Sequence, residues 1–271
     1  MSREYRIGLL VPSSNTTVEP EFYRALPNDV TVHCARMFLQ QINADSIQRT
    51  ADDVERESRG LASADVDVVV LGATAPSFIN GLGYDREMCM RIEQACGKPA
   101  VTTSSGLIDA LSEMGIKRIS LGSAYPAAIN EVCANFLSAN GLDIVAMDGL
   151  GIEDNLIVGR LSAETAYEMG RSIDRPESEA IVLACTNWRS LAVVERIERD
   201  LDKPVLSTTQ VSIWAALRRI GYSGNISGYG RLLAEHVAPA TNVPVLPSPK
   251  GRGNRPSPIS PTQFPRPLGE G

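Results

Sequence analysis

The chain repeats itself, and that repeat limits its fold more than any other feature. "RIGLLV", beginning at Arg6, returns as "RISLGSA", beginning at Arg118. "VVVLGAT", ending at Thr74, returns as "AIVLACT", ending at Thr186. Both pairs stand 112 positions apart. A third pair, "GKPAVTTSSGLIDALSEMGI" and "DKPVLSTTQVSIWAALRRIG", stands 105 positions apart when aligned on Lys98 and Lys203. One offset shared by two separated pairs is poorly explained by chance. It implies two similar lobes related by a pseudo-twofold axis.

The repeated pieces are β-branched, continuously apolar runs separated by stretches whose apolar residues recur three and four apart. Such runs suit parallel strands buried on both faces, and the intervening period suits helices outside them. The expected fold is therefore α/β, with two pseudo-symmetric lobes, each a mainly parallel sheet flanked by helices. Residues 1–115 form the first half. Residues 116–240 form the second half, in one compact unit with the first. From Thr241 to Gly271 the composition changes, and eight of the 17 prolines fall there. Dense proline removes backbone donors and builds no core, so this segment reads as a disordered tail.

Bulk properties narrow the function classes. A net charge of −6 without a basic block argues against a nucleic-acid surface. No apolar stretch approaches a membrane span, and the first residues do not resemble a signal peptide. Five scattered cysteines, an odd number, show neither a disulfide framework nor zinc-ligand spacing. The expected setting is the reduced cytoplasm, and a homo-oligomer is left open. No Walker or dinucleotide-binding motif follows a strand, and the two histidines have no ligand-spaced neighbours. No metal and no organic cofactor are expected.

In open parallel sheets, ligands sit beyond the carboxyl ends of the strands. Two such ends facing each other make a cleft, with residues 73 and 185 viewing one ligand from opposite sides. The loop "VPSSNTTVEPE" offers Ser14 and Asn15 together with the free N–H groups of a helix start. A simple helix cap needs fewer polar residues than this run supplies. "GATAPSF" adds Thr74 and Ser77, "GSAYPA" places Tyr125 at a strand end, and "GIEDNLIVGR" adds Asn155. "ACTNWRS" carries Cys185 and Thr186. A helix starting near Asn187 is expected to favour the Cys185 thiolate. The other four cysteines read as structural: Cys89 and Cys96 share a helix face, Cys34 lies in a strand, and Cys133 lies in a helix.

Taken together, "VPSSNTTVEPE", "GLGYD", "GSAY", "GIEDNLIVGR", "ACTN" and "GYGRL" resemble the aspartate/glutamate racemase superfamily. Within it they resemble the group of maleate cis–trans isomerases and arylmalonate decarboxylases. The resemblance spans roughly residues 3–235. It implies two pseudo-symmetric lobes and cofactor-free chemistry on carbons next to carboxylates, with a small dicarboxylic acid as substrate. Racemases and maleate isomerases of this kind use two facing cysteines, whose positions correspond to Ala73 and Cys185. Only the second is a cysteine here. By the same resemblance Asn15, Tyr125 and Asn155 hold carboxylates, as in the isomerases, and Tyr125 stands with Cys185 and the facing Ala73 position as an expected catalytic residue. The run from Ala73 to Phe78 is more like the decarboxylases.

A methyl group opposite a thiol suits a reaction with one proton delivery, because alanine neither gives nor takes a proton. The expected activity is decarboxylation of a malonate-type acid, with Cys185 as proton donor to an enediolate. One alternative is a maleate-type cis–trans isomerase or related racemase with Cys185 as nucleophile or acid. Another is a non-catalytic carboxylate-binding protein.

Overall fold

The computed structural model describes residues 4–237. The expected tail over residues 241–271 lies outside them. Among the described residues, eight strands form two four-stranded sheets. The first sheet contains β1 (Tyr5–Pro12), β2 (Val30–Met37), β3 (Val68–Leu71) and β4 (Ala100–Thr102), in the order β2-β1-β3-β4. The second contains β5 (Arg118–Ser123), β6 (Asp143–Gly149), β7 (Ala180–Ala184) and β8 (Val205–Ser207), in the order β6-β5-β7-β8. All strand pairings within both sheets are parallel. The two orders are the same, as the internal repeat requires.

The apolar runs fall where the repeat places them. β1 and β3 occupy the middle of their sheet, and β5 and β7 the middle of theirs. Val68–Leu71 and Ala180–Ala184 are buried along their whole length. β6 is an edge strand and stays largely half-exposed or exposed, which accounts for its mixed sequence. Among the described residues no helix is long and apolar enough to cross a membrane.

The third repeated segment builds the joint between the halves. Helix Thr103–Glu113 follows β4, and helix Thr208–Arg219 follows β8. Each opens with a capping box: Thr102 with Ser105, and Ser207 with Gln210. These reciprocal bonds satisfy N–H groups that would otherwise be orphaned in the interior. The two helices pack on each other. Thr103 and Ser212 share a buried hydroxyl hydrogen bond of 2.8 Å. A Cβ at Gly106 would lie 2.9 Å from the Val211 carbonyl oxygen and 3.0 Å from the Ala215 Cβ. Glycine is therefore what allows the helices to approach so closely.

A second tie crosses between the halves near the strand ends. Gln41 bridges Asp154, the Ile42 N–H donates to Glu153 O at 2.7 Å, and the Asn155 N–H donates to Gln40 O at 3.1 Å. This backbone strap brings the segment after β2 against the segment after β6.

One buried carboxyl lies beside the helix joint. Glu21, in helix Val18–Ala25, is 2% exposed. The Thr209 hydroxyl and the Leu191 N–H lie near its oxygens, but neither oxygen closes a hydrogen bond of normal geometry. Burial pushes the Glu21 pKa up from 4.5 to about 8, against the opposing influence of Thr209, Arg24 and Arg189.

Two outcomes follow from this joint. Gly106→Ala inserts a methyl against backbone and should destabilise the protein by about 1–3 kcal/mol in urea unfolding, despite alanine's better helix propensity. Glu21 retains its proton in the folded state up to about pH 8 but loses it near pH 4.5 when unfolded. Its contribution to stability is therefore full at low pH and is lost as pH rises through that window, a change on the order of a few kcal/mol. Glu21→Gln should flatten the pH dependence of Tm over this range and melt higher than the parent protein above pH 8.

Candidate active site

Where the carboxyl ends of the two sheets meet, a cleft encloses about 320 Å³ of empty space including its mouth. Asn15, Ala73, Thr74, Tyr125, Asn155, Cys185 and Thr186 all line it. They come from loops on both halves. Ala73 caps the short helix Thr74–Phe78 directly after β3, and Cys185 directly follows β7. The repeat-matched residues thus line one cavity.

The polar residues are ordered by bonds that cross between the halves. Asn15 Nδ2 donates to Thr186 Oγ1 at 3.1 Å, and Thr186 Oγ1 donates to Gly72 O at 3.0 Å. Asn15 Oδ1 accepts the N–H groups of Thr17 and Val18 at 2.9 and 3.0 Å. Its amide orientation is therefore fixed by the helix start beneath it. Asn187, which sequence reasoning did not single out, accepts the Thr16 N–H at 2.9 Å and donates to Asn155 O at 2.6 Å. Its signal was present in the polar run "CTN", but only the fold shows that it stitches three loops together.

Two expected site residues stand behind the wall. Ser14 accepts from Asn155 Nδ2 at 2.8 Å and donates to Leu39 O, so it holds Asn155 in place without lining the cleft. Ser77 is fully buried, with its hydroxyl bonded to Thr74 O at 2.7 Å and to Ser104 Oγ at 2.6 Å. One helical turn separates it from Thr74, which places it inside the first half.

The expected helix near Asn187 is not formed. Residues 186–188 make a turn, a short 3₁₀ segment spans Leu191–Val193, and the α-helix begins at Val194. The apolar residues of "SLAVVERIERDL" made an earlier start plausible, but the chain first turns to send Trp188 into the core. No helix N-terminus therefore acts on Cys185. Instead, burial pushes its thiol up from 9.0 to about 11. The backbone N–H groups of Asn187 and Trp188 and the Tyr125 hydroxyl oppose that rise only in part. Cys185 is consequently protonated at neutral pH. Its backbone is also unusual, with φ of +129°. That region costs a residue with a Cβ about 1–3 kcal/mol and persists only where the surroundings enforce it.

Tyr125 is 2% exposed, and its phenol pKa is raised well above the usual value by burial, then by the neighbouring Cys185. It remains a hydrogen-bond donor. Phe78 stacks edge-on against its ring at a centroid distance of 6.2 Å. The Thr74 hydroxyl lies close to Tyr125 but is buried without a hydrogen-bond partner of its own. The lining also includes the apolar side chains of Leu39, Ile42, Ile47 and Pro76. These residues were not legible as site residues, because in sequence they look like core. Among the described residues no charged side chain lines the cleft, and no cluster of three His, Cys, Asp or Glu could hold a metal.

Two parallel α/β lobes with neutral polar groups, a thiol and apolar side chains lining the cleft between them define a two-lobed α/β protein with one candidate active site. The comparisons with known proteins are specific. The arylmalonate decarboxylase family model matches residues 7–233. A maleate isomerase of Pseudomonas putida is 30% identical over 247 residues, covering 86% of this chain and 99% of its own. Arylmalonate decarboxylase of Bordetella bronchiseptica is 28% identical over 232 residues, covering 84% and 96%. Maleate isomerase Iso from Pseudomonas putida S16, solved with maleate as a cysteine-to-alanine variant, superposes with a TM-score of 0.83 at 26% identity, covering 86% of this chain and 98% of that one. A liganded arylmalonate decarboxylase, with one glycine exchanged for cysteine and one cysteine for serine, gives a TM-score of 0.81 at 26% identity, covering 85% and 99%. The chain belongs to the arylmalonate decarboxylase family and is an enzyme of the group that also contains the maleate isomerases. A non-catalytic carboxylate binder is thereby set aside.

The thiol state can be measured directly. Iodoacetamide alkylation of Cys185, followed by peptide mass spectrometry, should rise with pH towards a midpoint near 11. A plateau already reached at pH 8 would show a thiolate and contradict the buried, protonated group.

Proposed function

We propose that the protein decarboxylates a malonate-type dicarboxylic acid, with Cys185 as the proton donor. The observation that carries this reading is a single buried thiol sharing the cleft with the methyl of Ala73. One acid stands at the site, and its repeat-matched counterpart has no proton chemistry.

The polar groups support the same reading. The Thr74 hydroxyl, the Tyr125 hydroxyl and the second N–H of the Asn15 amide are the donors best placed for one carboxylate. Held there, that carboxylate accepts the electron pair released as the substrate's other carbon–carbon bond breaks. The negative charge develops as an enediolate against fixed donors in a site shielded from water, where such donors act most strongly. The second carboxylate faces Leu39, Ile42, Ile47 and Pro76, where no donor rewards its charge, and it leaves as carbon dioxide. The Cys185 S–H then gives its proton to the α-carbon on one face. Solvent restores the proton to sulfur, and the product is a monocarboxylic acid of one hand.

A second reading is cis–trans isomerisation of a maleate-type acid. The amides of Asn15 and Asn155 favour it, because both line the cleft and allow two carboxylates to be held. So does the 30% identity to a maleate isomerase. In that reaction Cys185 must ionise and add to a carbon of the double bond, making it a rotatable single bond. A Nocardia farcinica maleate cis–trans isomerase carrying a cysteine-to-serine change has been solved with a covalently bound succinylcysteine intermediate. The raised pKa of Cys185 is unfavourable for such an attack.

The experiment is incubation with methylphenylmalonate and, separately, with maleate in D₂O, followed by NMR and chiral chromatography. The decarboxylase reading expects a single enantiomer of deuterated 2-phenylpropionate and unchanged maleate. Cys185→Ala should lower turnover by about 10²–10⁴-fold, the usual contribution of a positioned acid. Ala73→Cys should erode the enantiomeric excess by adding a second donor. Conversion of maleate to fumarate with methylphenylmalonate untouched would overturn decarboxylation in favour of isomerisation.

A further inference from the structure

We propose that Thr208 is the positioning residue that fixes the strained turn at Cys185 and so aims its thiol into the cleft. The proposal rests on the reading of Cys185 as the reactive group, and it deepens that reading by naming what holds the group in place. Thr103 and Thr208 are the first residues of the two matched helices at the joint, and they stand in the same 105-residue register as Lys98 and Lys203. Their hydroxyls do opposite things. Thr103 Oγ1 donates to Leu71 O at 3.0 Å, capping the end of β3. Thr208 Oγ1 accepts the Cys185 N–H at 3.1 Å.

That reversal accompanies a reversal of the backbone. Ala73 has an ordinary extended φ of −141°, whereas Cys185 has φ of +129°. Cys185 lies one residue past the end of β7, so the sheet ladder does not take up its N–H. A buried N–H without an acceptor is costly, and Thr208 supplies that acceptor. Thr208 is itself held. It is fully buried, and it opens the helix whose Ser212 bonds Thr103 across the joint. Thr208 does not line the cleft, so it acts through Cys185 rather than on the substrate. Without the acceptor, the Cys185 backbone is free to relax to negative φ. The sulfur then swings away from the N–H groups of Asn187 and Trp188 and from the Tyr125 hydroxyl, which stabilise its anion.

The test compares Thr208→Val, which keeps the shape and removes the acceptor, with Thr208→Ser, which keeps the acceptor, in the full chain. Iodoacetamide labelling of Cys185 at a fixed alkaline pH reads the thiol without any substrate. It should slow by about tenfold in T208V and stay within about threefold of the parent in T208S. With methylphenylmalonate, T208V should lose about 10²-fold in kcat with little change in KM, as expected when a reactive group is misplaced by about an ångström. Should T208V not fold, Thr208→Ala, which also lacks the acceptor, is read against T208S by the same labelling. Parent-like or faster labelling in the acceptor-free variant, or equal losses in T208V and T208S, overturns the proposal. If the parent protein leaves methylphenylmalonate unchanged, the decarboxylase reading fails, while the labelling comparison still decides the role of Thr208.

Discussion

The close approach of two helices at Gly106 sets the dimensions of everything the cleft contains. Helix Thr103–Glu113 meets the backbone of helix Thr208–Arg219 with no side chain between Gly106 and the Val211 carbonyl. Each helix follows the last strand of its own sheet, so this contact fixes how the two sets of strand ends face each other. The hydroxyl bond between Thr103 and Ser212 fixes the register of the contact as well as its distance. A bulkier joint would spread the loops that carry Asn15, Thr74 and Cys185. The bonds of 2.9 to 3.1 Å that cross between the halves tolerate little such movement.

Within that frame the cleft does its electrostatic work without charge. Its anion-directed groups are amides, hydroxyls and backbone N–H groups, most of them already oriented by bonds made behind the wall. Asn15 is held by a helix start, Asn155 by Ser14, and Asn187 by two loops at once. Groups oriented in advance need little rearrangement when negative charge develops. The apolar wall performs the complementary task. It lowers the local dielectric around those groups.

Much of this was legible in the sequence because the chain states it twice. The matched pairs at Arg6 and Arg118 and at Ala73 and Cys185 located β1, β5, the ends of β3 and β7, and the cleft between them. Polar runs directly after apolar strands pointed to Asn15, Thr74 and Thr186. Three features were not legible, each for a physical reason. Leu39, Ile42 and Ile47 carry the composition of core residues, and only tertiary placement turns them towards a ligand. Ser14 and Ser77 have the right chemistry at the right loop, but a one-residue or one-turn difference in direction spends their hydroxyls inside the protein. The turn after Cys185 resembles a helix start because apolar periodicity marks burial, and here Trp188 is buried before the helix begins.

The positive φ of Cys185 sets stability against the proposed chemistry at a single position. Glycine would occupy that backbone conformation without steric penalty, so drift towards glycine would relieve strain and stabilise the fold. It would also remove the thiol. Cysteine thus stands at a residue whose backbone disfavours a side chain, and random substitution screened for stability alone would tend to erase the proposed chemistry first.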